Sequence, residues 1–359
     1  MLWCGLVEHV RSAKPGKDAH YEKVVSWERS ARASGVPMAR LTQQTERRQE
    51  MATIRVGNAP CSWGALEFDD LDGEGIGYAR MLDELAATGY TGTELGDWGF
   101  MPTEPEALRA ELAARNLTML GAFVPVAFRE ASAHEAGETQ TLRIARLLAG
   151  VADADHAPFV VLADDNGTVH ERTHHAGRVT ENLALTDEEW RTFAAGVERI
   201  AQVVHDATGL PCVFHHHCAG YVETPDEIAR LLDRTDPGLV GLVFDTGHYA
   251  FGSGAPAAES VQAGLERFGD RVWYVHFKDC AADIAAQARA EEWDYFAAVG
   301  HGVFCELGRG CVDFPGVLQW LRDRDYDGWI CVEQDILPGM GAPKESAQRN
   351  RDYLRELGL

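Results

Sequence analysis

The sequence predicts an α/β fold: a single (β/α)8 barrel, or TIM barrel, with an N-terminal extension. Three observations lead there. From Ile54 onward, short apolar runs alternate with longer amphipathic ones, which is the pattern of strand–helix units. Eight such units fit into residues 51–359, a length at which one closed barrel forms rather than two domains. Leu242-Val243-Phe244 is continuously apolar, as a parallel strand covered on both faces must be.

The elements follow in order. Strand one, Ile54–Ala59, runs into Pro60-Cys61-Ser62-Trp63-Gly64 and lacks a Gly-x-Gly-x-x-Gly turn, which argues against an open dinucleotide-binding sheet. Helix Tyr78–Thr88 stops at Gly89 before strand two, Gly92–Leu95. Helix Pro105–Arg115 has Thr103 as its cap and a first-turn proline, and leads to strand three, Thr118–Phe123. Helix Glu138–Ala152 precedes strand four, Phe159–Leu162. The polar stretch after it, with His170, His174 and His175, reads as a mobile lid with solvated imidazoles. Helix Asp187–Ala207 is capped by Thr186, ends at Gly209 and feeds strand five, Pro211–His216. Helix Pro225–Asp233 opens with Thr224 and Glu227, a capping box, before strand six, Val240–Phe244. Helix Ala258–Phe268, strand seven Arg271–Phe277, helix Phe314–Arg324, Gly328 and strand eight Trp329–Glu333 complete the series.

Residues 1–50 are different. They hold nine Lys/Arg against six Asp/Glu, so of the chain's −23 they contribute +3 and residues 51–359 carry −26. Without a regular apolar face they are expected to be a poorly ordered extension, with Met51 a second candidate initiator. A main domain this acidic has no surface for a phosphate backbone or an anionic membrane. No apolar run reaches a membrane-spanning length and no secretion signal opens the chain. The eight cysteines form no Cys-x-x-Cys pair and read as reduced thiols of a cytoplasmic protein. The oligomeric state is left open, a homo-oligomer included.

In this fold the active site is built at the C-terminal ends of the strands. Strand two ends in Glu94 and strand five in His215-His216-His217. Strand six ends in Asp245-Thr246-Gly247-His248, strand seven in His276-Phe277-Lys278-Asp279, and strand eight in Glu333-Gln334-Asp335. Charged groups at a barrel mouth cost desolvation unless paired or bound to metal. One ligand from each of strands five to eight, His215, Asp245, His276 and Glu333, makes a mixed N/O site. It favours Mn²⁺ or Co²⁺, with Zn²⁺, Fe²⁺ and Mg²⁺ as alternatives. Side chains alternate along strand five, so two of its three histidines enter the site, His215 and His217 facing one way and His216 the other. Asp279 and Asp335 read as helix N-caps, Asp164 and Asp165 as loop residues, and Cys212 and Cys218 as buried apolar groups.

Several segments together resemble the inosose dehydratase branch of the xylose isomerase-like barrel superfamily. They are His215-His216-His217 with Gly220 and Glu223, Thr235-Asp236-Pro237, Phe244-Asp245-Thr246-Gly247-His248 and His276-Phe277-Lys278-Asp279. Glu94 in Gly92-Thr93-Glu94-Leu95-Gly96 and the run Gly99–Thr103 fit the same branch. The resemblance implies that Asp245, His276 and Glu333 are metal ligands. His215 stands where many relatives have a ligating Glu, so the first ligand is His215, His217 or a water. Arg309 replaces an acid in a Gly-acid-Gly turn and bears on substrate binding.

The implied activity is metal-dependent dehydration of a cyclic polyol ketone, 2-keto-myo-inositol, in inositol catabolism. A base removes the α-proton and the β-hydroxyl leaves as water. The metal stabilises the enediolate oxygen as a Lewis acid. His217 and His248 have the tunable pKa that proton transfer needs. Lys278 steadies the enediolate oxygen or protonates the leaving hydroxyl, Glu94 binds substrate hydroxyls or acts as a base, and Trp63 offers a sugar ring an apolar face. The rival readings are a ketose isomerase or epimerase acting through the same enediolate, a nuclease, which the acidity disfavours, and a non-catalytic sugar-binding barrel.

Overall fold

The structure is a computed structural model and describes residues 53–64, 76–254, 258–337 and 340–359. The expectation for residues 1–50 lies outside the described residues. Eight strands close into a parallel barrel: β1 (Ile54–Asn58), β2 (Gly92–Glu94), β3 (Thr118–Val126), β4 (Phe159–Asp164), β5 (Cys212–His215), β6 (Val240–Asp245), β7 (Val272–Phe277) and β10 (Gly328–Val332). Each pairs with its chain neighbour and β1 pairs with β10, in register from Ile54 opposite Gly328 to Asn58 opposite Val332. Between β7 and β10 a small antiparallel ribbon, β8 (Asp279–Cys280) with β9 (Phe304–Cys305), is added to the barrel.

The helices of the outer layer follow the strands. They include α1 (Tyr78–Thr88), α2 (Pro105–Ala113), α3 (His134–Val151), α4 (His170–His174), α5 (Asp187–Thr208) and α6 (Pro225–Leu232). After β6 come α7 (Thr246–Gly252), α8 (Ala258–Phe268), α9 (Ala282–Ala290), α10 (Tyr295–Gly300), α11 (Phe314–Asp323) and α12 (Pro343–Glu356). Thr186 with Glu189 and Thr224 with Glu227 form reciprocal capping boxes at α5 and α6. Gly89 and Gly209 end α1 and α5 in the left-handed conformation (φ +92 and +72), where a Cβ is costly.

The reading departs from the structure at a few ends. Thr103 does not cap α2; Glu104 occupies that position without a side-chain bond. Gly328 begins β10, and Asp325 (φ 52) makes the left-handed turn after α11 instead. α7, α9, α10 and the C-terminal α12 were not anticipated. α12 has few apolar residues, so its periodicity is weak, yet Ala347 and Leu354 are buried. Arg351 and Arg355 bind the carbonyls of Gly89 and Thr88 at the end of α1.

Inside the barrel the strands present their residues in rows of period two. Leu120, Val161, Val213, Val243, Tyr274, Trp329 and Cys331 form the apolar interior. Two residues further along β5, β6, β7 and β10 the same inward rows become polar. Val213 is followed by His215, Val243 by Asp245, Tyr274 by His276, and Cys331 by Glu333. The alternation that fills the barrel therefore also delivers the charged mouth.

Candidate active site

Four inward rows meet at one point. His215, Asp245, His276 and Glu333 each offer one ligand atom, and these atoms all lie within 4.8 Å of one another. Asp245 and His276 are register partners on β6 and β7. His276 Nδ1 lies 3.2 Å from Glu333 Oε1 and 3.9 Å from Asp245 Oδ2, and His215 Nε2 lies 3.7 Å from the same Asp245 oxygen. Asp245 Oδ1 caps α7 by accepting the His248 N–H at 2.8 Å, which turns Oδ2 toward the cluster. Both ring nitrogens of His215, Asp245 Oδ2 and His276 Nδ1 are buried without a hydrogen-bond partner. Buried polar atoms are rarely left so. Two imidazoles and two carboxylates converging on one point, with atoms of His215, Asp245 and His276 left unpartnered, fit a divalent cation.

The electrostatics agree. Burial acts against a charged His276, but Glu333 and Glu94 on either side outweigh it and lift its pKa to about 10. The cluster thus draws positive charge to itself. Burial and the charge on His276 push His215 well below the usual imidazole range. Burial opposes the charged form of Glu333, yet His276 and Lys278 hold its carboxyl well below the carboxylate range.

Lys278, one row above His276, is 2 % exposed. Its Nζ lies 3.2 Å from Glu333 Oε2, 3.3 Å from both Asp335 oxygens and 3.1 Å from His248 Nε2. Burial would neutralise it, but Asp335, Glu333 and Asp245 keep it charged, with its pKa well above the lysine value. Gly247 makes room for this side chain, since a Cβ there would sit 2.6 Å from Lys278 Cγ. His248 stays neutral, its pKa lowered by burial, His217 and Lys278. His217 Nδ1 donates to the Cys218 carbonyl at 2.6 Å, so its Nε2 is the accepting nitrogen, with the Tyr295 hydroxyl 3.4 Å away. Burial, His215 and Lys278 bring the His217 pKa down to about 3. His216 turns out of the barrel, where its Nε2 accepts the Asp245 N–H at 3.1 Å. Glu94 Oε1 accepts from His276 Nε2 and from the Tyr274 hydroxyl, both at 2.9 Å.

Glu94, His215, His217, Lys278, Glu333 and Asp335 line one small cleft, of about 90 Å³, at the strand ends. Its apolar wall is Pro60, Cys61 and Phe123, and Asp97 stands at its rim. Two candidates lie elsewhere. Trp63 is buried in the helix layer, where its indole N–H donates to Glu84 Oε2 at 3.2 Å, and it does not face the cleft. Arg309 is 66 % exposed and pairs with Glu306 at 3.0 Å on the outer side of its loop.

Asp279 and Asp335 are not helix caps. Asp279 gathers the amides of Cys280, Gly308, Gly310 and Val312, fixing the loop that carries Arg309. Asp335 pairs with Lys278, a role its position two residues beyond Glu333, in the same inward row, would have suggested. Tyr295 comes from α10 and had no signal at a strand end. The histidines after β4 sit on α4, which is tied down rather than loose. Its buried Arg172 makes a bidentate pair with Glu227 (2.7 and 2.9 Å) and binds the Gly220 carbonyl. Asp164 accepts the Tyr221 N–H and Glu223 accepts those of Gly177 and Ala219, so the loops after β4 and β5 brace each other beside His217.

Comparison with known proteins fits this architecture. The profile of the xylose isomerase-like TIM barrel family matches residues 82–357. The inosose dehydratase of Geobacillus kaustophilus is 33% identical over 306 residues, covering 85% of this chain and 94% of that one. The inosose dehydratase of Salmonella typhimurium is 32% identical over 308 residues, covering 85% and 96%. Among solved structures, a probable 3-DHS dehydratase from Bacillus anthracis aligns with TM-score 0.58 at 13% identity, over 84% of this chain and 98% of that one. A 3-keto-D-glucoside 4-epimerase from E. coli aligns with TM-score 0.57 at 16% identity, over 85% and 99%. These two share the fold.

Proposed function

The chain belongs to the xylose isomerase-like TIM barrel family, and on that premise we propose that it dehydrates an inosose, 2-keto-myo-inositol, with the help of a divalent cation, as a step of inositol catabolism. Its relationship to the inosose dehydratases makes it a hydro-lyase. The observation that carries the finer reading is the convergence of ligand atoms from four neighbouring strand ends, three of them with unpartnered buried atoms, directly beside a charged lysine.

His215, Asp245, His276 and Glu333 would hold the cation, Mn²⁺ or Co²⁺ by preference, and it would supply Lewis-acid stabilisation to the oxygens of the ketone and its enediolate. The chain's own residues do the rest. His217 is held in the tautomer that accepts at Nε2 and takes the proton from the carbon next to the ketone. Burial keeps the ring neutral, so that Nε2 can accept a proton. Lys278 stays protonated and gives a proton to the hydroxyl leaving from the β-carbon, which departs as water. His248 is neutral, and its Nε2 lies 3.1 Å from Lys278 Nζ, against which it packs to keep that group aimed. Glu333 and Asp335 hold the ammonium from the other side. The Phe123 and Pro60 wall keeps bulk water off one face of the ring.

The test is incubation of the Mn²⁺-loaded protein with 2-keto-myo-inositol, followed by mass spectrometry. A product lighter by one water supports dehydration. A product of unchanged mass assigns the same site to a sugar isomerase or epimerase.

A further inference from the structure

We propose that Glu94 and Tyr274 are positioning residues: together they fix the orientation and tautomer of His276, so that its Nδ1 and not its Nε2 serves the cation. The inference rests on the cation reading of the strand-end cluster. Glu94 is the last residue of β2, while His276 and Tyr274 belong to β7, and β1 and β10 stand between the two strands in the closed order. The carboxylate therefore reaches across the inside of the barrel. There a single oxygen, Oε1, accepts from two donors of the same inward row, the Tyr274 hydroxyl and His276 Nε2.

The two contacts constrain the ring in different ways. A carboxylate acceptor at Nε2 keeps a proton on that nitrogen, so that Nδ1, the atom 3.2 Å from Glu333 and without a hydrogen-bond partner, is the one a cation can take in place of a proton. The Tyr274 hydroxyl holds Oε1 in place from below, and the tyrosine ring stands edge-on to the imidazole at 5.0 Å. All three side chains are buried.

Two other roles for Glu94 give opposite expectations. As the base for the α-proton it would act on turnover and leave cation affinity alone. As a ligand of a second ion with His276 and Cys331, whose donor atoms also lie within 4.8 Å of one another, it would bring a second equivalent of metal to the chain.

The experiment titrates metal-free full-length protein with Co²⁺, reading affinity by calorimetry and coordination by the visible spectrum, for wild type, Glu94→Gln and Tyr274→Phe. Glu94→Gln is expected to weaken Co²⁺ binding about 10- to 100-fold. Saturating Co²⁺ should restore the wild-type spectrum and most of the turnover. Tyr274→Phe should weaken binding in the same sense by a smaller factor. Unchanged affinity with turnover lost at every Co²⁺ concentration would overturn the proposal in favour of a base. A lowered melting temperature with unchanged affinity in both variants would reduce the pair to a structural role. Two ions per wild-type chain would overturn it in favour of the second site. Wild type that binds no Co²⁺ would refute the cation reading itself, and this proposal with it.

Discussion

The two halves of the barrel are built alike and contribute differently. β5, β6, β7 and the end of β10 carry the convergent ligand atoms and Lys278. β1 to β4 and their loops supply wall and rim, with Pro60, Cys61, Asp97 and Phe123, and the buried acid Glu94, which bonds across to β7. On the proposed function, the first half shapes the cleft and the second half does the chemistry. Substitutions in the second half should abolish activity, and those in the first should tune it.

The largest effect is expected from Asp245→Ala. It removes a buried ligand oxygen and the cap of α7, and should lose both bound cation and turnover, by about 10³-fold or more. Metal analysis of the purified variant alongside its rate checks this. Retained metal would show that the second half is not the binding half.

Lys278→Met should lower turnover by about 10²- to 10⁴-fold, the range of a positioned acid, while keeping the metal. It also strands Glu333 and Asp335 as buried acids beside each other, so a lower melting temperature is expected with it. Metal loss together with the rate would instead make the lysine part of the binding cluster.

Glu223 tests the bracing between the loops of the two halves. Burial pushes its carboxyl up to about 7, against the opposing influence of Arg172 and the amides of Gly177 and Ala219. The folded state therefore binds this proton more tightly than the unfolded chain does. The resulting stabilisation is fully present below the unfolded value of 4.5 and is lost as pH rises through about 7. Each unit by which a pKa is displaced corresponds to about 1.4 kcal/mol, so wild type should lose roughly 2–3 kcal/mol more than Glu223→Gln between pH 5 and pH 8. Urea unfolding at the two pH values measures the difference, and parallel losses would contradict it.

The smallest effect belongs to Arg309→Ala. An exposed pair with Glu306 contributes about 0–1 kcal/mol, and the guanidinium is outside the cleft, so KM and kcat should stay within about twofold. A large rise in KM would return Arg309 to the substrate.

The same division explains what could be read from the chain. Strand ends with apolar runs closing on His215, Asp245, His276 and Glu333 are local signals, because period-two alternation places a residue without knowledge of its neighbours. The barrel followed from the alternation of short apolar runs with amphipathic ones over eight units. Asp335 was misread because an aspartate before a loop also suits a helix cap, and only its pairing with Lys278 separates the two. Trp63 stands near a strand end, but the short turn Pro60–Trp63 rotates its ring away from the mouth toward Glu84. Tyr295 and Tyr274 reach the site through tertiary packing, one from a loop helix and one from the row beneath the ligands, and neither contact leaves a trace in local sequence. Arg172 was hidden among the histidines of a polar stretch, and its meaning appears only when α6 brings Glu227 to it.

The central claim is that four strand ends hold one catalytic cation. Its most direct test is metal content and inosose turnover measured on the same sample before and after chelation. The account predicts one ion per chain, no turnover in the stripped protein, and recovery with Mn²⁺ or Co²⁺ in proportion to the ion bound. Full turnover by protein without detectable metal would contradict it.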